Sequence, residues 1–188
     1  MKNKRGQTVF GMSYGVIFSI FVIVFIVAVA FIAIRHFMGL NSCTQIGLFY
    51  DSLQQEVERG WSSGSGRYLK NFEGSLPISG FFSSNLKEVC FGNLSATNTP
   101  FNSERQEILE FLHGDISGSE NVFVYPPKEA CDGNLYGIHL KCANGRSECM
   151  KIISNSFFCT TINKNGKAIV TLDKNERDVL VTVQEYNP

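Results

Sequence analysis

The N-terminal part of the chain contains no charged side chain between Gly6 and Ile34. Within this run, residues 16–34 read VIFSIFVIVFIVAVAFIAI and are apolar except for Ser19. A helix needs about 20 apolar residues to cross a bilayer core of ~30 Å, because every backbone polar group must be satisfied inside the helix. The sequence therefore predicts a transmembrane helix over residues 9–35, with the lipid bilayer as its partner.

The charges that flank this run predict its orientation. A cleaved secretory leader has an apolar region of only roughly 7–15 residues and a cleavage site of small residues. Here the run is longer and ends in Arg35, whereas residues 1–8 form a tip with three basic side chains. Since positive charge is retained on the cytoplasmic side, we expect a cytoplasmic tip and an extracytoplasmic location for residues 36–188.

The charge of the exported part argues against nucleic acid as a partner. Four of the 17 basic residues and none of the 17 acidic ones lie in residues 1–35. Residues 36–188 thus hold 13 Lys and Arg against 17 Asp and Glu, a net charge of −4. A mildly acidic domain without a basic cluster lacks the electrostatic surface that nucleic-acid binding requires.

All six cysteines follow the predicted membrane helix, which is typical of an exported domain with disulfide bonds. A structural zinc site is the alternative, but no two cysteines have the usual spacing of two intervening residues. Six cysteines allow 15 connectivities, so the pairing stays open. We expect no metal and no cofactor. The six are Cys43, Cys90, Cys131, Cys142, Cys149 and Cys159.

Residues 36–62 have the pattern of an amphipathic stalk helix. Apolar side chains recur at steps of three or four residues, and polar side chains occupy the other faces. Around Gly39, either a kink in one long helix or a short break between two helices is compatible with the sequence. The glycines and serines that follow Ser62 end the helical part. The apolar stripe consists of Ile46, Phe49, Leu53, Val57 and Trp61.

Residues 63–188 predict one β-rich domain, so the fold class is α+β with antiparallel strands. Short apolar segments at 87–94, 121–125 and 136–142 favour strands, and a short helix starts at Ser103. At the C-terminus, residues 157–163 and 167–172 flank an Asn-Gly turn, which strongly indicates a hairpin. With the alternating residues 179–183, these segments predict a three-stranded antiparallel meander.

We find no positive indication of catalysis, and we expect a non-enzymatic protein. The three histidines, His36, His113 and His139, share no register typical of a metal pair and lie in no known catalytic pattern. Six cysteines leave a thiol enzyme conceivable, although an oxidising compartment favours their pairing. Asn93 begins an Asn-Leu-Ser triplet, which predicts an N-glycosylation site.

In this layout the chain resembles archaeal type IV pilin-like surface proteins, which carry a class III signal peptide. That family has a short basic leader ending in Gly, and a specialised peptidase cuts just after it. The resemblance implies cleavage between Gly6 and Gln7, followed by a long helix that first anchors the precursor and later packs in a filament core. It also implies a β-rich head lying against the second half of the helix.

One position departs from the family, because Gly11 stands where many members carry a glutamate five residues into the mature chain. Gly11, Gly15 and Ser19 form a stripe of small residues suited to close helix packing in a membrane.

From the resemblance in layout we expect a pilin-like surface protein whose exported head mediates assembly or adhesion. An anchored binding or sensor module, or an accessory subunit of a membrane complex, is the alternative.

Overall fold

The structure is a computed structural model that describes residues 7–64, 66–77, 85–94, 103–112, 120–131, 135–140, 150–152 and 157–186. The chain divides into two compact units, Met1–Met38 and Gly39–Pro188. Helices α1 and α2 span Gln7–Ser62 and Ser103–Phe111, and a 3-10 turn spans Pro127–Glu129. The described residues form eight strands, β1 (Tyr68–Ser75), β2 (Glu88–Phe91), β3 (Val122–Tyr125), β4 (Gly137–Ile138), β5 (Met150–Ile152), β6 (Phe158–Thr161), β7 (Lys167–Lys174) and β8 (Val181–Glu185).

The predicted membrane and stalk segments belong to one helix, α1. It contains Gly39 without a break and ends at Ser62, as the glycine- and serine-rich run after it predicts. The alternative of a break between two helices at Gly39 is therefore wrong. Residues 39–62 of α1 belong to the same compact unit as the sheets.

The strands form two four-stranded sheets. The first has the order β1-β7-β8-β5, and the second has the order β4-β3-β2-β6. All pairings are antiparallel except that of β5 with β8. A long helix, antiparallel-rich sheets and a short helix agree with the predicted α+β class.

The main core lies between α1 and the two sheets. The α1 side chains Ile46, Leu53 and Val57 are fully buried, which confirms the predicted stripe, while Trp61 at its end is partly buried. Alternate residues of β7 and β8 face this core from the first sheet. Val89 and Val124 reach it from the second sheet. The stripe is apolar because it packs inside its own unit.

A second, smaller core lies on the other face of the second sheet, under α2. Cys90 and Phe123 point into it, whereas their strand neighbours point into the main core. Both faces of β2 and β3 are thus covered, which explains why these strands are continuously apolar rather than alternating. Ile108 of α2 is fully buried here, and Leu112, directly after α2, packs against this core.

The predicted C-terminal meander is wrong in one of its three strands. The turn forms at Asn163–Lys167, where the Asn163 amide donates to the Lys167 carbonyl at 2.9 Å. Beyond the turn, however, β6 pairs with β2 in the second sheet, while β7 pairs with β1 and β8 in the first. Only the pairing of β7 with β8 agrees with the meander. The Asn-Gly signal specifies a local reversal and carries no information about which sheet each strand joins.

Gly74 of β1 makes room for an aromatic side chain of α1. A Cβ atom at this position would lie 2.3 Å from Cε2 of Phe49 and 2.8 Å from Cε1 of Phe72. The two phenylalanine rings meet edge to face with centroids 5.9 Å apart. The absence of a side chain at Gly74 therefore lets α1 approach the first sheet closely.

We expect Gly74→Ala to destabilise the protein by about 1–3 kcal/mol, because the added methyl group would force the Phe49 ring out of place. The measurement is urea unfolding of the full chain in detergent micelles, followed by fluorescence of Trp61, the single tryptophan. Gly47→Ala is the matched control, since no heavy atom lies within 4 Å of its added Cβ. Alanine at this helical position should be neutral or stabilising by up to ~1 kcal/mol. A Gly74→Ala variant as stable as the original chain would contradict this packing.

Candidate functional site: the exposed helix and its attachment

The longest run of exposed apolar residues in the described chain lies in the N-terminal part of α1. Every residue from 14 to 41 is exposed. The side chains of this stretch include Phe18, Phe21 and Phe25, each about 70% exposed. Soluble monomers rarely expose a contiguous apolar patch larger than a few hundred Å². Such an exposed apolar surface is typical of one that contacts a membrane or another protein.

The length of this surface matches a bilayer. Residues 14–34 contain no charge and extend about 31 Å at 1.5 Å per residue. The helix is thus long and apolar enough to cross a membrane. Arg35 and His36 are the first charged or titratable side chains after it.

The predicted small-residue stripe is open in its described part. No heavy atom lies within 4 Å of a Cβ placed on Gly15, and the Ser19 hydroxyl donates to the Gly15 carbonyl at 2.7 Å. The Ser19 hydroxyl is therefore engaged within its own helix. Gly11 lies among the first residues of α1, whose surroundings are not described.

A disulfide just after the exposed residues of α1 attaches the helix to the unit 39–188. Cys43 is bonded to Cys131, which follows the 3-10 turn, with the Cα atoms 5.0 Å apart. Two helical turns further on, the buried Tyr50 hydroxyl donates to the Leu135 carbonyl at 3.1 Å. Burial raises the pKa of Tyr50 well above its usual value, so the hydroxyl stays protonated and keeps donating. Both contacts hold α1 to the same short segment of chain.

A charged cluster ties the next part of α1 to β1. The Glu56 carboxylate accepts hydrogen bonds from Lys70 at 2.7 Å and from Tyr68 at 3.0 Å, and Arg59 lies 2.5 Å away. Burial alone would raise the pKa of Glu56, but these hydrogen bonds and the charges of Lys70 and Arg59 outweigh it and lower the pKa. Burial is the main cause that raises the pKa of Tyr68 to about 12, and the hydrogen bond to Glu56 is the next. At neutral pH the Glu56 carboxylate is therefore ionised and the Tyr68 phenol is neutral. Groups in these states form a structural contact between α1 and β1.

The C-terminus of α1 is held by a buried lysine of β7. Lys174 is 5% exposed, and its ammonium donates to the carbonyls of Trp61 at 2.7 Å and Gly64 at 3.3 Å. The last carbonyls of a helix have no partner within the helix, and the negative end of its dipole favours a cation there. Lys174 therefore supplies a hydrogen-bond donor at the C-terminal end of α1 and fixes this end against the first sheet.

One group of described side chains has metal-ligand types close together, but its sulfur atoms are already bonded. The ligand atoms of Glu88, Cys90 and Cys159 lie within 4.8 Å of one another. Cys90 and Cys159 are direct register partners on β2 and β6 and form a disulfide. A disulfide offers no thiolate to a metal. Cys90 and Cys159 instead cross-link β2 and β6. The two observed cysteine pairs agree with the disulfide prediction; Cys142 and Cys149 lie outside the described residues.

Acidic side chains surround Tyr125 beside this disulfide. The Tyr125 hydroxyl donates to the Glu107 carboxylate of α2. This bond, with burial and the charges of Glu107, Glu104 and Glu88, raises the pKa of Tyr125 to about 12. Burial, and then the charge of Glu104, raises the pKa of Glu88. A phenol with such a pKa remains a hydrogen-bond donor at neutral pH, so this contact fastens α2 to the second sheet.

The other predicted residues are spread over the chain. Asn93 is exposed and lies two residues after the end of β2. His36 is exposed on α1, and His139 follows β4 and is half-buried. Gly6 and His113 lie outside the described residues, and Gln7 is the first residue of α1.

The attachment residues Tyr50, Glu56 and Lys174 were not singled out by the sequence. For Lys174 a signal existed, because Ala168, Val170, Leu172 and Lys174 alternate along β7 on its core face. A lysine on an apolar face predicts a buried ammonium with oxygen partners. Nothing in the sequence identified the helix end as that partner.

No family model, no curated protein and no solved structure matches this chain. Its function must therefore be inferred from the geometry and chemistry of its own residues.

We expect Lys174→Met to destabilise the protein by about 1.5–3 kcal/mol, because the carbonyls of Trp61 and Gly64 lose a charged donor. The measurement is the urea midpoint of the full chain in detergent micelles, followed by far-UV circular dichroism. The change should also move the fluorescence of Trp61, whose carbonyl is one of the two acceptors.

Lys167→Met is the matched control on the same strand. Lys167 forms an ion pair with Glu73 at 2.5 Å, but both side chains are more than 40% exposed. Such a surface pair contributes about 0–1 kcal/mol. Equal effects of the two substitutions would contradict the role assigned to Lys174.

Proposed function

We propose that this chain is a non-enzymatic, single-pass membrane protein of pilin-like layout, whose exported head mediates assembly or adhesion. The N-terminal part of α1 anchors the chain, and the unit 39–188 is the extracytoplasmic head. The basic tip remains on the cytoplasmic side, as its flanking charges favour.

The observation that carries this proposal is the uninterrupted exposure of the apolar residues in 14–41. Removing one large apolar side chain from water is worth about 1.5–3 kcal/mol. More than a dozen such side chains lie in this stretch, so leaving them in water would cost more than the usual stability of a whole domain, about 5–15 kcal/mol. A bilayer, or a bundle of equivalent helices, removes this cost. Type IV pilin-like proteins use both covers in turn.

The disulfides support an exported head. Cys43–Cys131 and Cys90–Cys159 both lie in residues beyond Arg35. Disulfides form and persist in oxidising, extracytoplasmic compartments and are rare in the cytosol. Their position thus agrees with the orientation that the flanking charges favour.

The attachment of α1 suits a protein that bears load through its anchor. A disulfide, a charged cluster and a buried ammonium hold residues 43–62 of α1 to three different parts of the unit. Force applied along the helix would therefore reach both sheets without first separating the helix from them. Such a construction serves adhesion or assembly and requires no catalytic group.

A second candidate is an anchored binding module or accessory subunit that is neither processed nor assembled into filaments. Gly11 favours it, since pilin assembly commonly uses a glutamate at this position to neutralise a neighbouring subunit's new N-terminus. Both candidates share the anchor and the exported head.

The anchor is tested by two arginines near the middle of the apolar run. We expect Ile23→Arg/Val27→Arg to move the chain out of the alkali-resistant membrane fraction. Each arginine at a helix centre costs about 2.5–3.5 kcal/mol of insertion free energy, whereas each residue replaced favours insertion by about 0.3–0.6 kcal/mol. The measurement is the share of chain that remains in the membrane pellet after carbonate extraction.

The matched control places the same two charges on exposed apolar residues of the other unit. Leu69 and Val179 are 56% and 65% exposed, so Leu69→Arg/Val179→Arg should stay in the pellet. If the helix and control variants fractionate alike, the apolar run does not anchor the chain.

The mature N-terminus separates the two candidates. The pilin-like candidate predicts a chain that begins at Gln7, as read by mass spectrometry, and that cofractionates with sheared filaments. Gly6→Val should then retain the uncut leader. An intact N-terminus on a chain found only in membranes would remove the pilin-like candidate and support the second.

A further inference from the structure

One motif is not used by the anchor or its attachment, namely the triplet that begins at Asn93. Asn93-Leu94-Ser95 is the single Asn-x-Ser/Thr triplet of the chain with a residue other than proline at its centre. The side-chain amide of the asparagine in such a triplet is the acceptor for N-linked sugar in exported proteins. A match of this length also arises by chance, so its position in the fold decides whether it is usable.

The fold presents Asn93 to solvent between two buried neighbours. Gly92 and Leu94 are both buried, whereas Asn93 is exposed. Gly92 has a φ of 150°, a conformation that favours glycine, and its amide donates to the Asn121 carbonyl at 3.0 Å. The chain therefore leaves β2 by a turn that is hydrogen-bonded to the segment entering β3.

The residue after Asn93 is held equally well. Leu94 is 7% exposed and packs in the core under α2, beside Ile108. Its carbonyl accepts a hydrogen bond from the guanidinium of Arg105. Asn93 thus lies on a hydrogen-bonded piece of backbone and is exposed, so a bulky group on it would not have to enter either core.

We propose that Asn93 is an N-glycosylation site of this protein. The proposal rests on the extracytoplasmic location in the proposed function, and its co-substrate is a lipid-linked oligosaccharide phosphate. In the transfer, the Asn93 amide nitrogen loses a proton and forms a bond to C1 of the first sugar. The bond between C1 and the phosphate oxygen breaks, and the lipid phosphate leaves with the electron pair and takes up the proton. No oxidant or reductant is required.

The test is mass spectrometry of the full chain isolated from the cells that naturally make it. We expect the peptide containing Asn93 to carry a sugar mass. Asn93→Gln and Ser95→Ala should each remove the whole of that mass, because the first lacks the acceptor and the second lacks the hydroxyl of the triplet. Asn175→Gln is the matched control, as Asn175 is exposed but begins no such triplet, and it should leave the mass unchanged.

Export is measured on the same sample by the disulfide content of the unit and by labelling of intact cells. An exported, disulfide-bonded chain with unmodified Asn93 would overturn this inference while leaving the proposed function in place. A chain that is not exported would overturn both. Sugar that remains on Asn93 in the Ser95→Ala variant would also contradict the proposal, because the triplet would then not be the recognised sequence.

Discussion

The structure depends on one constraint, which is that the apolar residues of α1 between 14 and 41 are all exposed in the described chain. The same helix then changes surroundings completely, because Ile46, Leu53 and Val57 are fully buried in the core of their own unit. In the proposed function one helix serves two apolar environments, and the unit 39–188 supplies the second. A membrane, or the packed helices of an assembly, is the natural source of the first.

This arrangement explains why the second half of α1 is fastened so heavily. A helix held only by an apolar stripe could slide, since hydrophobic contact is not directional. The disulfide at Cys43, the Tyr50 hydroxyl, the Glu56 cluster and the ammonium of Lys174 add directional contacts along its length. Gly74 contributes the close approach that brings Phe49 onto the first sheet. The result is that the second half of α1 is firmly held within the unit 39–188.

Much of this architecture was predictable because its signals are local. The 3.6-residue periodicity of 46–57 predicted the buried stripe, and the short apolar segments at 87–94 and 121–125 contain β2 and β3. What failed were choices that depend on distant residues. β6 and β7 leave a well-formed Asn-Gly turn for different sheets, and the partners of Cys43 and Cys90 are 88 and 69 residues away. β1 was missed because its only buried side chain is Phe72, which leaves no alternating apolar pattern.

The central claim is that residues 14–34 lie in a membrane and that the unit 39–188 lies outside the cell. It is tested most directly by an impermeant amine-labelling reagent added to intact cells, with the chain then recovered from the alkali-resistant membrane pellet. Lys164, in the exposed turn between β6 and β7, is the reporter. The account predicts that Lys164 is labelled in intact cells to the same extent as in permeabilised ones. Labelling of Lys164 only after permeabilisation, or recovery of the chain in the soluble fraction, would contradict it.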